Sequence, residues 1–327
     1  MKILLLSNQG MVAPFVGNPI MPRYRDAILS DGCIESVDML RCKNPLVVRK
    51  ELRRKARQAD LIHIHFGGVY AFVTWFLMIG INKPKFITFH GTDIHAKAVK
   101  TAKSVLTKIK IKLNQYASFF SILCYTRCGF VAEEMENFVP SFLRPVMKEK
   151  AFIQPLGVDY KLFRYMDKRE AQIYLGLCEG RYILFSDVSN TPIKRRDIAK
   201  AIVDHLPGYT LLIMCGVKSE DVPNYVNACD CLLLTSDQEG SPNIIREALS
   251  LDKPVFSVDV GDAMKQLEGL RDSAIISRNP EEAAKLIRER LSCTYTDNSR
   301  ESRRHILDFA ECSKDVIELY KISTRKS

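Results

Sequence analysis

Short, almost uninterrupted apolar runs recur along the chain, separated by longer stretches in which apolar residues return every third or fourth position. In the first half these runs are Lys2–Asn8, Ser36–Cys42, Leu61–Phe66, Phe86–His90, Phe120–Tyr125 and Phe152–Leu156. A strand with one wet face would alternate, whereas near-continuous apolarity marks parallel strands covered by helices on both faces. The first half therefore predicts a doubly wound α/β domain. A charged, helix-like stretch around Asp167–Leu175 interrupts the pattern, which restarts at Tyr182–Phe185, Thr210–Cys215, Cys231–Thr235, Pro254–Val258 and Ala274–Ser277. The restart predicts a second α/β domain. The tail from Arg300 to Ile322 is helical in pattern, with Ile306, Phe309, Val316, Ile317, Leu319 and Tyr320 apolar, and could pack on either domain.

A length of 327 residues suits two domains better than one core. The expected limits are 1–160, 161–305 and a C-terminal helix at 306–327. Two such Rossmann-like domains in tandem would face each other across a cleft, with the carboxyl ends of the strands, where ligands of open α/β sheets lie, on either side. The first βα turn, Asn8-Gln9-Gly10-Met11-Val12, lacks G-x-G-x-x-G, and no G-x-x-x-x-G-K-[ST] occurs, which disfavours a dinucleotide oxidoreductase and a P-loop enzyme.

The apolar run at the N-terminus is four residues long with no small-residue cleavage site, and reads as a buried strand rather than a leader. The longest apolar run, Val69–Ile81, has 13 residues, short of the roughly 20 that a membrane span needs. Ten scattered cysteines then suggest reduced, buried thiols in a cytoplasmic protein; only Cys124-x(3)-Cys128 offers half of a zinc spacing.

The loop after the Cys231–Thr235 run carries the candidate chemistry. It reads Ser236-Asp237-Gln238-Glu239-Gly240-Ser241-Pro242-Asn243 and leads into the helical pattern Ile244-Ile245-Arg246-Glu247-Ala248-Leu249. Ser241 is the expected N-cap and Pro242 suits the first turn, which leaves Glu239 in the loop and Glu247 in the second turn. From Pro242 to Glu247 a helix climbs roughly 7–8 Å. That span fits a nucleoside diphosphate sugar, with one acid near the sugar, one near the ribose and the helix amides facing the pyrophosphate. A bare E-x(7)-E often arises by chance, so the flanking residues decide.

Those residues, T-S-D-Q-E-G-S-P-N-I-I-R-E-A-L-S-L-D-K-P-V, resemble the signature of the retaining glycosyltransferases of family four (glycosyl transferases group 1), which use the GT-B fold. Three more stretches match in the family's order: D-L-I-H-I-H-F at Asp60–Phe66, F-H-G-T-D at Phe89–Asp93 and P-L-G-V-D-Y-K-L-F at Pro155–Phe163. The resemblance implies that Glu239 contacts the donor sugar near its reacting carbon and Glu247 holds the ribose. Gly240, Ser241, Pro242 and Asn243 would line sugar and phosphates, and His90 would reach the sugar from the first domain. Such enzymes bring an Arg and a Lys to the pyrophosphate. Lys194 aligns with the Lys, but Ser189 or Asn190 stands where the Arg usually is, leaving Arg195 or Arg196 as the substitute or as a solvated turn.

No Asp-x-Asp occurs, so no metal cofactor is expected and Lys194 with the helix start would stabilise the leaving diphosphate. The resemblance also implies retention of anomeric configuration and a UDP- or GDP-type donor. His63 and His65 share a strand face and could pair on a metal, but the family carries D-x-x-H-x-H without one.

The net charge of +10 is unevenly spread: residues 1–150 hold 23 Lys and Arg against 11 Asp and Glu, the remainder 25 against 27. Lys97, Lys100, Lys103, Lys108, Lys110 and Lys112 fall on one arc of a helical wheel, with Val99, Ala102, Leu106, Ile109 and Leu113 opposite and Ile111 the exception. Such a helix suits an anionic membrane surface, each Lys adding about 1 kcal/mol, or else a basic outer face on a helix packed against its own domain. With the family's habit of lipid-linked acceptors, the expectation is a peripheral enzyme at the cytoplasmic face of the membrane, working on a lipid-linked or glycan acceptor. No RNA motif or helix-turn-helix pattern appears, so nucleic acid is not an expected partner. The alternatives are a nucleotide-sugar epimerase of the same fold and a non-catalytic sugar-nucleotide-binding relative.

Overall fold

The structure, a computed structural model, describes residues 1–8, 20–91, 93–94, 104–187, 191–293 and 308–325. It divides into two compact units, Met1–Leu156 with Phe309–Ser327, and Gly157–Asp308. The last helix therefore belongs to the first unit, and the limits expected at 160 and 305 fall at 156 and 308.

The first unit runs β1 (Lys2–Ser7), α1 (Ile20–Leu29), β2 (Ser36–Arg41), α2 (Arg49–Gln58), β3 (Leu61–His65), α3 (Gly68–Leu77), β4 (Lys85–Phe89), α4 (Val105–Cys124), β5 (Arg127–Phe130), α5 (Arg144–Lys150) and β6 (Ala151–Ile153). All its strands pair in parallel, in the order β2-β1-β3-β4-β5-β6. The second unit runs α6 (Lys168–Tyr174), β7 (Arg181–Ser186), α7 (Arg196–Asp204), β8 (Tyr209–Met214), α8 (Val222–Ala228), β9 (Cys231–Leu234), α9 (Asn243–Ser250), β10 (Val255–Ser257), α10 (Ala263–Leu267), β11 (Ala274–Ile275) and α11 (Pro280–Ser292). Its order is β11-β10-β9-β7-β8, again parallel. Phe309–Arg325 forms α12. Central strands are buried throughout, as in β3 and β9, while the edge strands β2 and β8 are only partly buried. This is the burial that the continuous apolar runs encode.

One strand assignment is corrected. Phe120–Tyr125 is not a strand, because residues up to Cys124 complete the 20-residue α4, and the strand follows at Arg127–Phe130. A short apolar run cannot by itself tell a strand from a buried helix turn. The true strand is disguised by a polar start and by Gly129, where a Cβ would come within 2.5 Å of Thr88 Oγ1 and 2.6 Å of Phe152. The expectation of buried thiols holds for Cys128, Cys229 and Cys231 but fails for Cys33, Cys178, Cys215 and Cys293, which are exposed.

Helix α12 is tied in through a buried polar chain. The Tyr24 and Tyr320 hydroxyls lie 2.8 Å apart, Tyr320 Oη meets His63 Nδ1, His63 Nε2 lies 2.8 Å from Thr88 Oγ1, and Thr88 donates to Gln154 Oε1 at 2.6 Å. Because the Thr88 proton goes to Gln154, Thr88 accepts from His63 Nε2–H. His63 Nδ1 then accepts from Tyr320, and Tyr320 from Tyr24. The chain of donors and acceptors through His63 holds only while His63 is neutral, and burial holds its pKa down to about 3.

Burial likewise lowers His65 well below its ordinary value and His90 to about 3. The unfolded chain takes up protons at these three sites below pH about 6.5, and the folded chain does not. Their contribution is therefore complete above about 6.5 and is lost as pH falls from there toward 3, at most roughly 1.4 kcal/mol per histidine per pH unit. Urea unfolding between pH 7.5 and 5 should show stability falling, with a shallower slope in His63→Gln. Equal slopes in the two proteins would contradict the assignment.

Candidate functional site

The chain order of the second sheet reverses between β7 and β9, which lie side by side with Phe185 opposite Leu233. The loops leaving the carboxyl ends of these two strands thus flank a topological switch point, the usual ligand position in an open α/β sheet. They are fastened to each other: Asp237 N donates to Ile193 O at 2.8 Å, and Thr235 Oγ1 donates to the Lys194 and Arg195 carbonyls at 3.0 and 2.9 Å. The fastening brings Lys194 Nζ to 2.6 Å from Glu239 Oε1, in an ion pair whose side chains are 21% and 15% exposed. Two residues 45 positions apart, singled out in the sequence for one donor, are neighbours.

The neighbouring arginines point elsewhere. Arg195, in the left-handed region at φ 55°, pairs with Asp197 at 2.8 Å and with Asp237 at 3.4 Å. Arg196 holds the buried Asp187 through Nε and Nη2, at 3.2 and 2.8 Å. Each guanidinium is thus engaged by a carboxylate. Ser189 and Asn190, at the position of the usual Arg, lie outside the described residues.

The start of α9 corrects a second expectation. Ser241 is not the N-cap: the helix begins at Asn243, Pro242 occupies the cap position, and no side chain caps it. The Ser241 hydroxyl is already committed, donating to Asp262 Oδ2 at 2.7 Å and accepting from Arg246 Nη2 at 2.6 Å. Arg246 also reaches Asp262 Oδ2 at 2.9 Å, and Gln266 Nε2 donates to Asp262 Oδ1 at 2.6 Å. Glu247 keeps its place in the second turn and is buried. Behind the loop, Gly261 has φ 58°, and a Cβ there would stand 2.5 Å from Gly240 O. Gly240–Asn243 is therefore gripped from the β10–α10 side by Gly261 and Asp262, with Arg246 completing the clamp. Sequence reasoning missed these three; the glycine–acid pair at the end of V-D-V-G-D was the available signal.

Buried polar atoms without a protein hydrogen-bond partner collect at the same edge: Ser236 Oγ, both amide atoms of Gln238, and Gln266 Oε1. Such groups are few in native interiors and mark places where something else completes the bonding.

In the first unit His90 follows β4 directly. Asp93 fixes its backbone, accepting from His90 N at 3.0 Å and Gly91 N at 2.9 Å while also taking Gly67 N at 2.7 Å. Burial pushes the Asp93 carboxyl up, against the pull of those donors. The imidazole stacks on Phe66, centroids 4.2 Å apart, and Phe66 sits at φ 72°, strained for a bulky side chain. His65 Nδ1 lies 3.0 Å from His90 Nε2, and His65 Nε2 is buried with no partner. A buried N–H without an acceptor is rarer than an unpaired lone pair, so the His65 proton belongs on Nδ1 and is donated to His90. His90 then carries its own proton on Nδ1. Sequence reasoning passed over Phe66 and Asp93, although both stand inside the motifs.

Lys108, Lys110 and Lys112 are exposed on α4, whereas Lys97, Lys100 and Lys103 lie outside the described residues. His205 is exposed at the end of α7, and His95 and His305 fall outside the described residues.

Residues 190–292, which hold Lys194, the Glu239–Glu247 segment and the Asp262 clamp, match the family Glycosyl transferases group 1. TuaC of Bacillus subtilis (strain 168), whose name assigns it as a glycosyltransferase to teichuronic acid biosynthesis, is 28% identical over 239 residues, 65% of this chain and 57% of that protein. The matched chain thus spans little more than half the length of this relative. Among solved structures, sucrose-phosphate synthase of Thermosynechococcus elongatus superposes with TM-score 0.78 at 15% identity, over 100% of both chains. Anabaena HepE in complex with UDP-glucose superposes with TM-score 0.72 at 15% identity, over 98% of this chain and 100% of that one. These likenesses establish the two-sheet α/β architecture of the GT-B glycosyltransferases. The segment 190–292 accordingly matches the group 1 glycosyltransferases, a family of transferase enzymes.

Proposed function

We propose that this chain moves a sugar from a UDP- or GDP-type nucleotide sugar to a lipid-linked or glycan acceptor, with retention of anomeric configuration, in cell-surface polysaccharide or glycolipid synthesis. The observation that carries the reading is the Lys194–Glu239 pair at the switch point of the second sheet, beside the start of α9. HepE, of the same fold, binds UDP-glucose, and TuaC is named for teichuronic acid biosynthesis. The acceptor stands on the excess positive charge of residues 1–150 together with that kinship, and it would place the enzyme peripherally on the inner face of a membrane.

Cleavage of the sugar–phosphate bond builds negative charge on the leaving diphosphate. Glu239 holds the Lys194 ammonium in the loop pair before the donor arrives, and Lys194 with the start of α9, which no side chain caps, stabilises that charge when the bond breaks. Glu239 faces the sugar, Glu247 the ribose, and Gly240, Ser241, Pro242 and Asn243 line the phosphates. His90, neutral and with its proton on Nδ1, is assigned a hydrogen bond to the donor sugar. The acceptor hydroxyl attacks from the side on which the phosphate leaves, so no side chain need act as nucleophile. Arg195 and Arg196 keep their carboxylate partners and leave the cationic role to Lys194. No metal is assigned to the reaction.

Turnover should survive a chelator in full and fall at least roughly 100-fold in Lys194→Ala, on the scale of losing one preorganised electrostatic group. A strict divalent-metal requirement would sink this account. Glu239→Ala and His90→Ala should each cut kcat far more than Lys161→Ala, and product analysis should show sugar on the acceptor rather than an epimerised donor. For the clamp, Gly261→Ala should weaken stabilisation by UDP or GDP in thermal-shift titrations, since the new methyl displaces Gly240. An unchanged nucleotide response would show that the grip does not shape the donor loop.

A further inference from the structure

Helix α4 turns its apolar side outward. Toward the first unit it presents Ser118, Phe119, Ser121 and Ile122, all buried. Away from it, Leu106, Ile109, Leu113, Tyr116, Phe120 and Leu123, spaced three and four apart, are between 45% and 70% exposed. Single exposed apolar residues are ordinary, but a continuous stripe of about five turns is not. Helix α3 and the turn after it extend the stripe, with Val69 and Phe76 of the helix and Ile79 of the turn exposed, and Phe72 meeting Phe120 edge-on at 5.2 Å to join the two helices. The arc expected to pack inward opposite the lysines is thus open, which removes the reading of α4 as a helix seated on its own domain through Leu106, Ile109 and Leu113.

At 3.6 residues per turn, Lys108 and Lys112 border the stripe on one side and Lys110 on the other. All three are exposed. No described helix is long and apolar enough to cross a membrane. We infer that the α3–α4 face is a bilayer-docking surface. It lies in the plane of an anionic membrane, its apolar side chains between headgroups and acyl chains and its border lysines reaching lipid phosphates. Charge selects this occupant over a second copy of the chain. Residues 1–150 carry 23 basic against 11 acidic groups, so a self-paired face would bring like-charged borders together, whereas an anionic bilayer complements them. The inference deepens the proposal of a membrane-borne acceptor and rests on it. It moves the contact from a basic face resting on the headgroups to an apolar stripe immersed below them.

Trp75, the single tryptophan, lies on α3 next to Phe76 and reports immersion directly. With vesicles of phosphatidylglycerol and phosphatidylcholine, its emission should shift to the blue and be quenched by acyl-brominated lipid. Phe76→Ser and Leu113→Ser, both at exposed positions, should each weaken partitioning about tenfold with the melting temperature unchanged. Lys108, Lys110 and Lys112 exchanged together for Gln should weaken binding chiefly at low salt. Vesicle binding with unshifted Trp75 and undiminished partitioning of both serine variants would overturn the immersed stripe while leaving the membrane-borne acceptor standing. No binding at low salt would overturn both. A dimer dissociated by the serine variants would assign the face to a second copy and overturn the inference.

Discussion

Every strand of both sheets runs parallel to its neighbours, and this constraint orders the rest of the molecule. A parallel strand must be re-entered from the far end, so each connection is a crossover and, within each sheet taken by itself, the carboxyl ends gather on one edge. The backbone and side-chain polar groups at that edge have no ladder to join. The fold fills it with loops bound to one another: Asp237 on Ile193, Thr235 on Lys194 and Arg195, Asp262 on Ser241, Asp93 on His90, Gly91 and Gly67. What remains unpaired there, Gln238 and His65 Nε2 among it, is the polar capacity left for something else.

Charge is managed differently in the two units. In the second, the basic groups around the Glu239 loop have carboxylates: Lys194 with Glu239, Arg195 with Asp197 and Asp237, Arg196 with Asp187, Arg246 with Asp262. An anionic ligand must compete with these acids, and Glu239 is the acid that shares a loop with Gly240–Asn243. In the first unit the imidazoles of His63, His65 and His90 are kept neutral by burial, and their proton positions are dictated by neighbours.

Most of the architecture was legible because continuous apolar runs report two-sided burial, and ten of the eleven predicted strands lie within a residue or two of the observed ones or overlap them. The exception, β5, was hidden by Gly129, whose missing side chain is demanded by Thr88 and Phe152 rather than by local preference. The nearness of Lys194 and Glu239 was legible because both were singled out by motif position for one ligand, and the fold makes them an ion pair. The Ser241 cap was not, since local rules assign a free serine before a helix to its amides, and only the fold reveals that Asp262 and Arg246, 21 and 5 residues away, claim the hydroxyl first. The open side of α4 was equally invisible, because a helical wheel shows that two faces differ and not which one the protein covers.

The hydrogen-bonded chain from Tyr24 through Tyr320, His63 and Thr88 to Gln154 has a consequence for synthesis. Tyr320 lies beyond the whole second unit in sequence, so the ribosome delivers the hydroxyl that satisfies His63 only after residues 157–308 have emerged. The first unit, made first, is the last to close. Until then its parallel sheet waits with a buried imidazole lacking its partner, and the second unit must fold beside an unfinished neighbour.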